Sequence, residues 1–208
     1  MKRCIIIISG PLGEAEPLKK LIRNDDYIIC VDGGYEHATA LCAVPDIVIG
    51  DFDSLKSELP PSLPVLRFKK EKDETDTILA IDYALSRGYR EMVLIGGLKG
   101  RLDHTYANFS ALLHLHLGGG RGYFADADNE VYILIEGEIR LSRREGYYLS
   151  VFPFGQEALG VSERGVKYTL NGARLENSSP LCVSNEFTSE EAVISVEKGP
   201  ILIILSKE

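Results

Sequence analysis

The chain has 208 residues, 45% hydrophobic and 26% charged, enough to bury one large core or two small ones and too apolar for a disordered protein. A net charge of −8, with no basic run longer than two residues, excludes a phosphate-backbone binder, so no nucleic-acid partner is expected. No stretch reaches the length of a membrane span, and the apolar run after Lys2-Arg3 is too short for a signal peptide.

That run, Ile5 to Ile8, is continuous rather than alternating, as in a strand covered on both faces. Ser9-Gly10-Pro11 breaks it, and Glu16-Pro17 with Leu18, Leu21 and Ile22 reads as a helix with proline at its start. A second strand, Tyr27 to Val31, ends in Asp32-Gly33-Gly34, and a short helix follows with Ala38, Leu41 and Cys42 on one face. Ile47 to Ile49 is a third strand, and it runs into Gly50-Asp51-Phe52-Asp53-Ser54. Val65 to Phe68 is a fourth, leading into Lys72-Asp73-Glu74-Thr75-Asp76, where Thr75 is placed to cap a helix buried through Ile78, Ile81 and Leu85 and closed by Gly88. Met92 to Ile95 is a fifth. It ends in Gly96-Gly97-Leu98-Lys99-Gly100-Arg101-Leu102-Asp103-His104, followed by a helix through Leu112 and Leu115.

Alternation of strand and helix predicts an α/β domain over residues 1–122, with a mostly parallel sheet flanked by helices, Rossmann-like in outline. Beyond the glycines at 118–120 the chain turns to short β-type runs: Val131–Ile135, Tyr147–Phe152, Val166–Leu170, Leu181–Val183, Ala192–Val196 and Ile201–Leu205. These predict an all-β sandwich domain over 123–208, with edges or faces free to pair with another subunit. Cys4, Cys30, Cys42 and Cys182 lack metal-type spacing, which suits reduced cysteines in a cytoplasmic protein.

Parallel strands share one carboxyl edge, where open α/β sheets bind ligands. Asp32, Asp51, Asp53, Asp73, Asp76 and Asp103 are all expected there. Two carboxylates about 4 Å apart repel by roughly 4 kcal/mol at an effective dielectric near 20, so such a set wants a cation. Magnesium takes oxygen ligands and bridges a few carboxylates to substrate phosphates. The loop from Gly96 lacks the Walker A and G-x-G-x-x-G patterns, yet its glycines let backbone N–H groups approach an anion, and Arg101 offers a planar fork for phosphate oxygens. Together these residues point to phosphoryl or pyrophosphoryl transfer from a nucleotide with magnesium. His114 and His116, two apart on a helix, share no face and read as surface or core filling.

Asp32-Gly33-Gly34, Gly50-Asp51-Phe52-Asp53-Ser54, Lys72-Asp73-x-Thr75-Asp76 and Gly96-Gly97-x-x-Gly100-Arg101-x-Asp103-His104, in that order, resemble the bacterial type of the thiamin pyrophosphokinase family, as do Gly165-Val166-Lys167-Tyr168-x-Leu170 and Ser184-Asn185-Glu186-Phe187. The resemblance implies a homodimer that moves a pyrophosphoryl group from ATP to the thiamin hydroxyl, with thiamin near the subunit interface. Carried over by motif position, it implies Asp51, Asp53 and Asp76 as magnesium and phosphate-site residues, with Asp73 and Asp103 beside them and Arg101 stabilising the transferring charge. Asp32, Gly33, Gly34, Lys72, Gly97, Arg101 and His104 would line the nucleotide side, and Thr75, Asp76, Asp103, Ser184 and Asn185 the thiamin side. Two competitors use the same loops: pyrophosphoryl transfer to another heterocyclic alcohol, such as a hydroxymethyl pterin, and a nucleotide-binding sensor without chemistry. Ser184-Asn185 at the family's thiamin position favours thiamin, and so many mutually repelling aspartates are superfluous in a pure binder.

Overall fold

Six short strands, β1 (Arg3–Ile7), β2 (Tyr27–Val31), β3 (Ile47–Gly50), β4 (Val65–Arg67), β5 (Glu91–Ile95) and β6 (Arg121–Ala125), pair in parallel in the order β6-β5-β1-β2-β3-β4. The structure, a computed structural model, describes residues 2–53, 55, 57–68 and 73–208. It divides into two units, Met1–Ala127 and Asp128–Glu208.

In the first unit, Ile5 lies opposite Ile28 and Val93, and Ile7 opposite Cys30 and Ile95. This face of the sheet packs on Leu18 of α1 (Glu16–Lys19) and Ala38 of α2 (Tyr35–Ala40). Helix α3 (Asp76–Ser86) packs on β1, β2 and β3, and α4 (Leu102–Leu117) on β6 and α3. Cys4 and Ile6, which alternate with Ile5 and Ile7, are as fully buried as they are, so both faces are covered and the strand needs no polar residue. Helix α1 is shorter than its apolar spacing suggests. After Lys19 the N–H groups of Leu21 and Ile22 bond the carbonyls three residues back, at 3.0 and 3.2 Å, and the chain tightens out of the α-helix.

Strand order fixes where a ligand is received. The chain steps outward from β1 through β4, then returns to the other side of β1 for β5 and β6, so its direction switches between β1 and β5. In the dinucleotide-binding order 3-2-1-4-5-6 that switch falls one strand earlier, so the expected parallel sheet is present with a different winding.

The second unit holds β7 (Asn129–Leu134), β8 (Gly137–Ser142), β9 (Tyr147–Pro153), β10 (Glu157–Arg164), β11 (Leu170–Glu176), β12 (Cys182–Asn185), β13 (Glu191–Val196) and β14 (Ile201–Lys207). They form two antiparallel sets, β12-β9-β14-β7 and β11-β10-β13-β8. Leu149, Val151, Ile203 and Leu205 of one set meet Val161, Leu175, Ala192 and Ile194 of the other in one core, the sandwich expected.

Two further details depart from the sequence reading. The division at Ala127/Asp128 lies beyond the expected 122/123 boundary, because 121–125 is a parallel strand against β5 rather than the start of the β unit. Residues 166–169 are not a strand, and of the expected run only Leu170 is, as the first residue of β11. Gly165 turns the chain at φ +75° with its α-carbon against the Glu191 carbonyl, where an added Cβ would sit 2.1 Å away, and only Val166 then bridges Phe187. Among the described residues no helix is long and apolar enough to cross a membrane.

Candidate active site

The switch between β1 and β5 opens a cleft of about 530 Å³ at the carboxyl ends of the strands. Its floor is the turn after β1, Ser9 to Pro11, with Asp32 beside it after β2. One wall is the start of α3, Thr75 to Thr77, and the other is the glycine loop after β5 with Lys99, Arg101 and His104.

Each strand end is shaped by backbone that only certain residues permit. Asp32 is 8% exposed, opens a 3₁₀ turn at φ +46°, and accepts the Phe52 N–H on Oδ1 at 3.1 Å. A Cβ on Gly50 would stand 1.8 Å from that oxygen, so glycine at the end of β3 makes room for the carboxylate. A Cβ on Gly34 would stand 2.2 Å from the Ile7 carbonyl; this glycine seats the turn on β1. Gly33 and Gly34, expected on the nucleotide side, are not among the cleft-lining residues, and Gly34 lies packed against the Ile7 carbonyl.

After β3, Phe52 adopts φ +67° and the Asp51 carboxylate turns back to accept the Asp53 N–H at 3.1 Å, closing an Asx turn. The Arg67 guanidinium stacks 4.6 Å from the Phe52 ring and donates to the Asp51 carbonyl at 3.4 Å. Asp53 is exposed. At α3, Thr75 caps the helix by accepting the Ile78 N–H at 3.4 Å, and Asp76 occupies the first turn, where the helix dipole favours a carboxylate. Asp73 is exposed, and Lys72 lies outside the described residues.

The loop after β5 is held from below. Gly97 sits at φ +75°, and buried Asn108 of α4 donates its Nδ2–H to the Gly97 carbonyl at 2.8 Å, in the space a Cβ would occupy. Arg101 forks onto Asp103, Nε to Oδ1 at 3.1 Å and Nη2 to Oδ2 at 2.5 Å, and the His104 N–H donates to the same carboxylate at 2.9 Å. The guanidinium hydrogen bond holds the Asp103 carboxyl down at about 2, although the pair is exposed to water.

The expected convergence of aspartates is therefore partial. Asp32, Thr75, Asp76, Gly97, Arg101 and His104 share the cleft; Asp51, Asp53, Asp73 and Asp103 lie off its lining, Asp51 closing its own turn and Asp103 reaching the cleft only through its pair with Arg101. No three His, Cys, Asp or Glu side chains among the described residues stand together as a preformed metal cage.

Ser184 and Asn185 belong to the second unit. Ser184 is exposed at φ +58°, its N–H on Ser150 Oγ at 3.0 Å. Asn185 is 3% exposed and spends its whole hydrogen-bonding capacity internally. Its Nδ2 donates to Glu163 Oε2 at 3.0 Å and the Tyr168 carbonyl at 2.8 Å; its Oδ1 accepts from the N–H groups of Tyr168 and Glu186 at 2.9 and 3.1 Å. The Asn185 side chain, expected on the thiamin side, is thus saturated by protein groups.

Sequence reasoning passed over Ser9 to Pro11, Lys99 and Asn108. The first carried the signal used elsewhere, small and polar residues at a strand's carboxyl end, and its Gly10 carbonyl lies 2.7 Å from His37 Nε2. Lys99 sat in the glycine loop beside the better-shaped Arg101, and Asn108 lay one helix away in sequence.

Two family models match the chain in order: thiamin pyrophosphokinase, catalytic domain, over residues 18–119, and thiamin pyrophosphokinase, vitamin B1 binding domain, over 136–201. The chain is 28% identical to thiamine pyrophosphokinase of Bacillus subtilis over the full length of both, and 23% identical to thiamin pyrophosphokinase 1 of Caenorhabditis elegans over 97% of this chain and 88% of that one. A crystal structure of the Bacillus subtilis protein superposes with a TM-score of 0.90 over all of both chains. The structure of thiamin pyrophosphokinase from Candida albicans, at 14% identity, shares the fold with a TM-score of 0.78 over all of this chain and 89% of that one. With both domain models matched in order across most of its length, the chain belongs to the thiamin pyrophosphokinase family.

Proposed function

We propose that this enzyme transfers the pyrophosphoryl group of ATP to the hydroxyl of thiamin, giving thiamin diphosphate and AMP. The observation that carries the reading is the cleft at the β1/β5 switch, where the carboxylates of Asp32 and Asp76 and the cations of Lys99 and Arg101 come together. Thiamin is a cation and suits the acidic wall; the triphosphate suits the glycine loop and its two cations.

The thiamin hydroxyl oxygen bonds to the β-phosphorus as the bond to the α,β-bridging oxygen breaks, and AMP leaves with that electron pair. The hydroxyl proton passes to a carboxylate of the cleft that magnesium does not engage, for which Asp32 is placed. Arg101, held by Asp103 with its fork fixed, stabilises charge on the transferring group. The donor set, carboxylate oxygens without a preformed cage, fits magnesium, which habitually takes one or two carboxylates plus phosphates and water. Asp76 in the cleft, with Asp51 and Asp53 brought in from the loop after β3, would hold it together with the ATP phosphates, where it would supply charge neutralisation and alignment. Positioning of hydroxyl and phosphorus in line supplies most of the rate.

On this reading Ser184 and the main chain around Asn185 contribute to the thiamin pocket, and the enzyme works as a cytoplasmic homodimer. Four free cysteines suit a reducing compartment. The test is acceptor choice. Purified enzyme with ATP and magnesium should turn over thiamin with a kcat/KM at least about 100-fold above that for a hydroxymethyl pterin, because one misplaced ring loses several contacts at once. Preference for the pterin would transfer the assignment to the other alcohol, and ATP binding without turnover of either would make the chain a sensor.

A further inference from the structure

Glu163 is the one carboxyl of the sandwich that lies at 0% exposure. The bulge in β10 between Ala158 and Val161, centred on Gly160 at φ +67°, resets the alternation and turns Glu163 inward among the buried apolar residues. A carboxyl in such a place is expensive, and replacement of buried charge by apolar side chains is often neutral or stabilising. Its surroundings are specific. Oε2 accepts from Asn185 at 3.0 Å, the Cys182 thiol of β12 lies against the carboxyl, and Oε1 has no hydrogen-bond partner. The strands that pair with β10 set Ile194 and Leu170 opposite it, so Cys182 is the titratable group that faces it.

We infer that Glu163 is a positioning residue for the thiamin-binding end of the enzyme: from inside the core its carboxyl fixes the Asn185 amide, which fixes the main chain of Tyr168 and Glu186. Asn185 joins the loop 166–168 to the end of β12 twice, its Nδ2 donating to the Tyr168 carbonyl and its Oδ1 accepting the Tyr168 N–H, while Glu163 takes its other donor and the Glu186 N–H its other acceptor site. Ser184, next to it, lies at φ +58° where the register of β12 against β9 shifts. Loss of the Glu163 acceptor frees one Asn185 N–H to seek another partner, and the two segments lose their common register. Burial raises the Glu163 carboxyl above the ordinary glutamate range and so favours the neutral acid, whose shape and carbonyl acceptor glutamine reproduces.

The inference rests on the reading that residues around Ser184 bind thiamin. E163M, which keeps the volume and removes the acceptor, should raise KM for thiamin about tenfold while KM for ATP stays within about twofold, the loss expected for one buried hydrogen bond. E163Q should restore the thiamin KM to within about twofold of the parent, which a generic packing role would not require. Unchanged thiamin KM in folded E163M, or equal rises for both substrates, would overturn the inference. Should E163M not fold, the Asn185 side-chain amide of the parent enzyme decides: slow hydrogen exchange at both N–H positions supports the clamp, and rapid exchange refutes it. No thiamin turnover by the parent enzyme at all would instead defeat the proposed function, and the amide exchange would still report on Glu163.

Discussion

Gly50 and Asp32 show at residue scale how the sheet edge accommodates charge. The missing Cβ at Gly50 is the space Asp32 occupies, so Gly50→Ala should destabilise by about 1–3 kcal/mol through overpacking and should displace the carboxylate into the cleft. Thermal melts and turnover measured together check this: a drop in both is expected, and a stable variant with parental rate would mean that Asp32 has another place to go. At Arg101 and Asp103 the sign of the shift is informative. A carboxyl held at about 2 contributes its stabilisation above the ordinary aspartate range and loses it only as pH falls toward that value. Asp103 is therefore ionised at every working pH, and Asp103→Asn should lower the rate while leaving the acid limb of the rate–pH profile where it was. Arg101→Lys should depress kcat more than it raises KM for ATP, because a lysine cannot hold Asp103 through a fork and still offer N–H groups to phosphate.

At the scale of elements, α4 acts as the foundation of the glycine loop after β5. Asn108→Ala would leave the Gly97 carbonyl without its partner at a cost of about 1–3 kcal/mol, and it should raise KM for ATP with little effect on KM for thiamin. The sandwich makes a separate prediction through Glu163. Its carboxyl is raised in the folded protein, so the folded state binds more protons than the unfolded one above the ordinary glutamate value. Stability therefore falls as pH rises from there to the folded pKa and levels off beyond it. In urea melts across that range E163Q should show a flatter pH dependence than the parent. Equal slopes would mean that Glu163 ionises normally.

For the whole molecule, what could be read in the sequence followed burial. Strands covered on both faces, such as β1, β2, β3 and β5, announce themselves as uninterrupted apolar runs, and the aspartates at their ends follow from the parallel arrangement. β8, β10 and β11 were not legible. β8 and β11 are edge strands with polar outward residues, and the bulge in β10 breaks the alternation a strand is recognised by. The site was legible as a set of loops but not as side-chain directions: nothing in the motifs tells that Asp51 closes its own turn, that Arg101 grips Asp103, or that Asn185 is consumed inside the sandwich. Those depend on partners many residues away, and the family motifs are silent about who pairs with whom.

The central claim is that two phosphoryl units leave ATP as one group. The direct measurement follows AMP, ADP and thiamin diphosphate together in a single reaction of the purified enzyme with magnesium-ATP and thiamin. One AMP for each thiamin diphosphate, with no ADP and no thiamin monophosphate at early times, is the predicted result. ADP with thiamin monophosphate as the first product would contradict it, since attack would then fall on the γ-phosphorus and the cleft would hold the nucleotide in a different register.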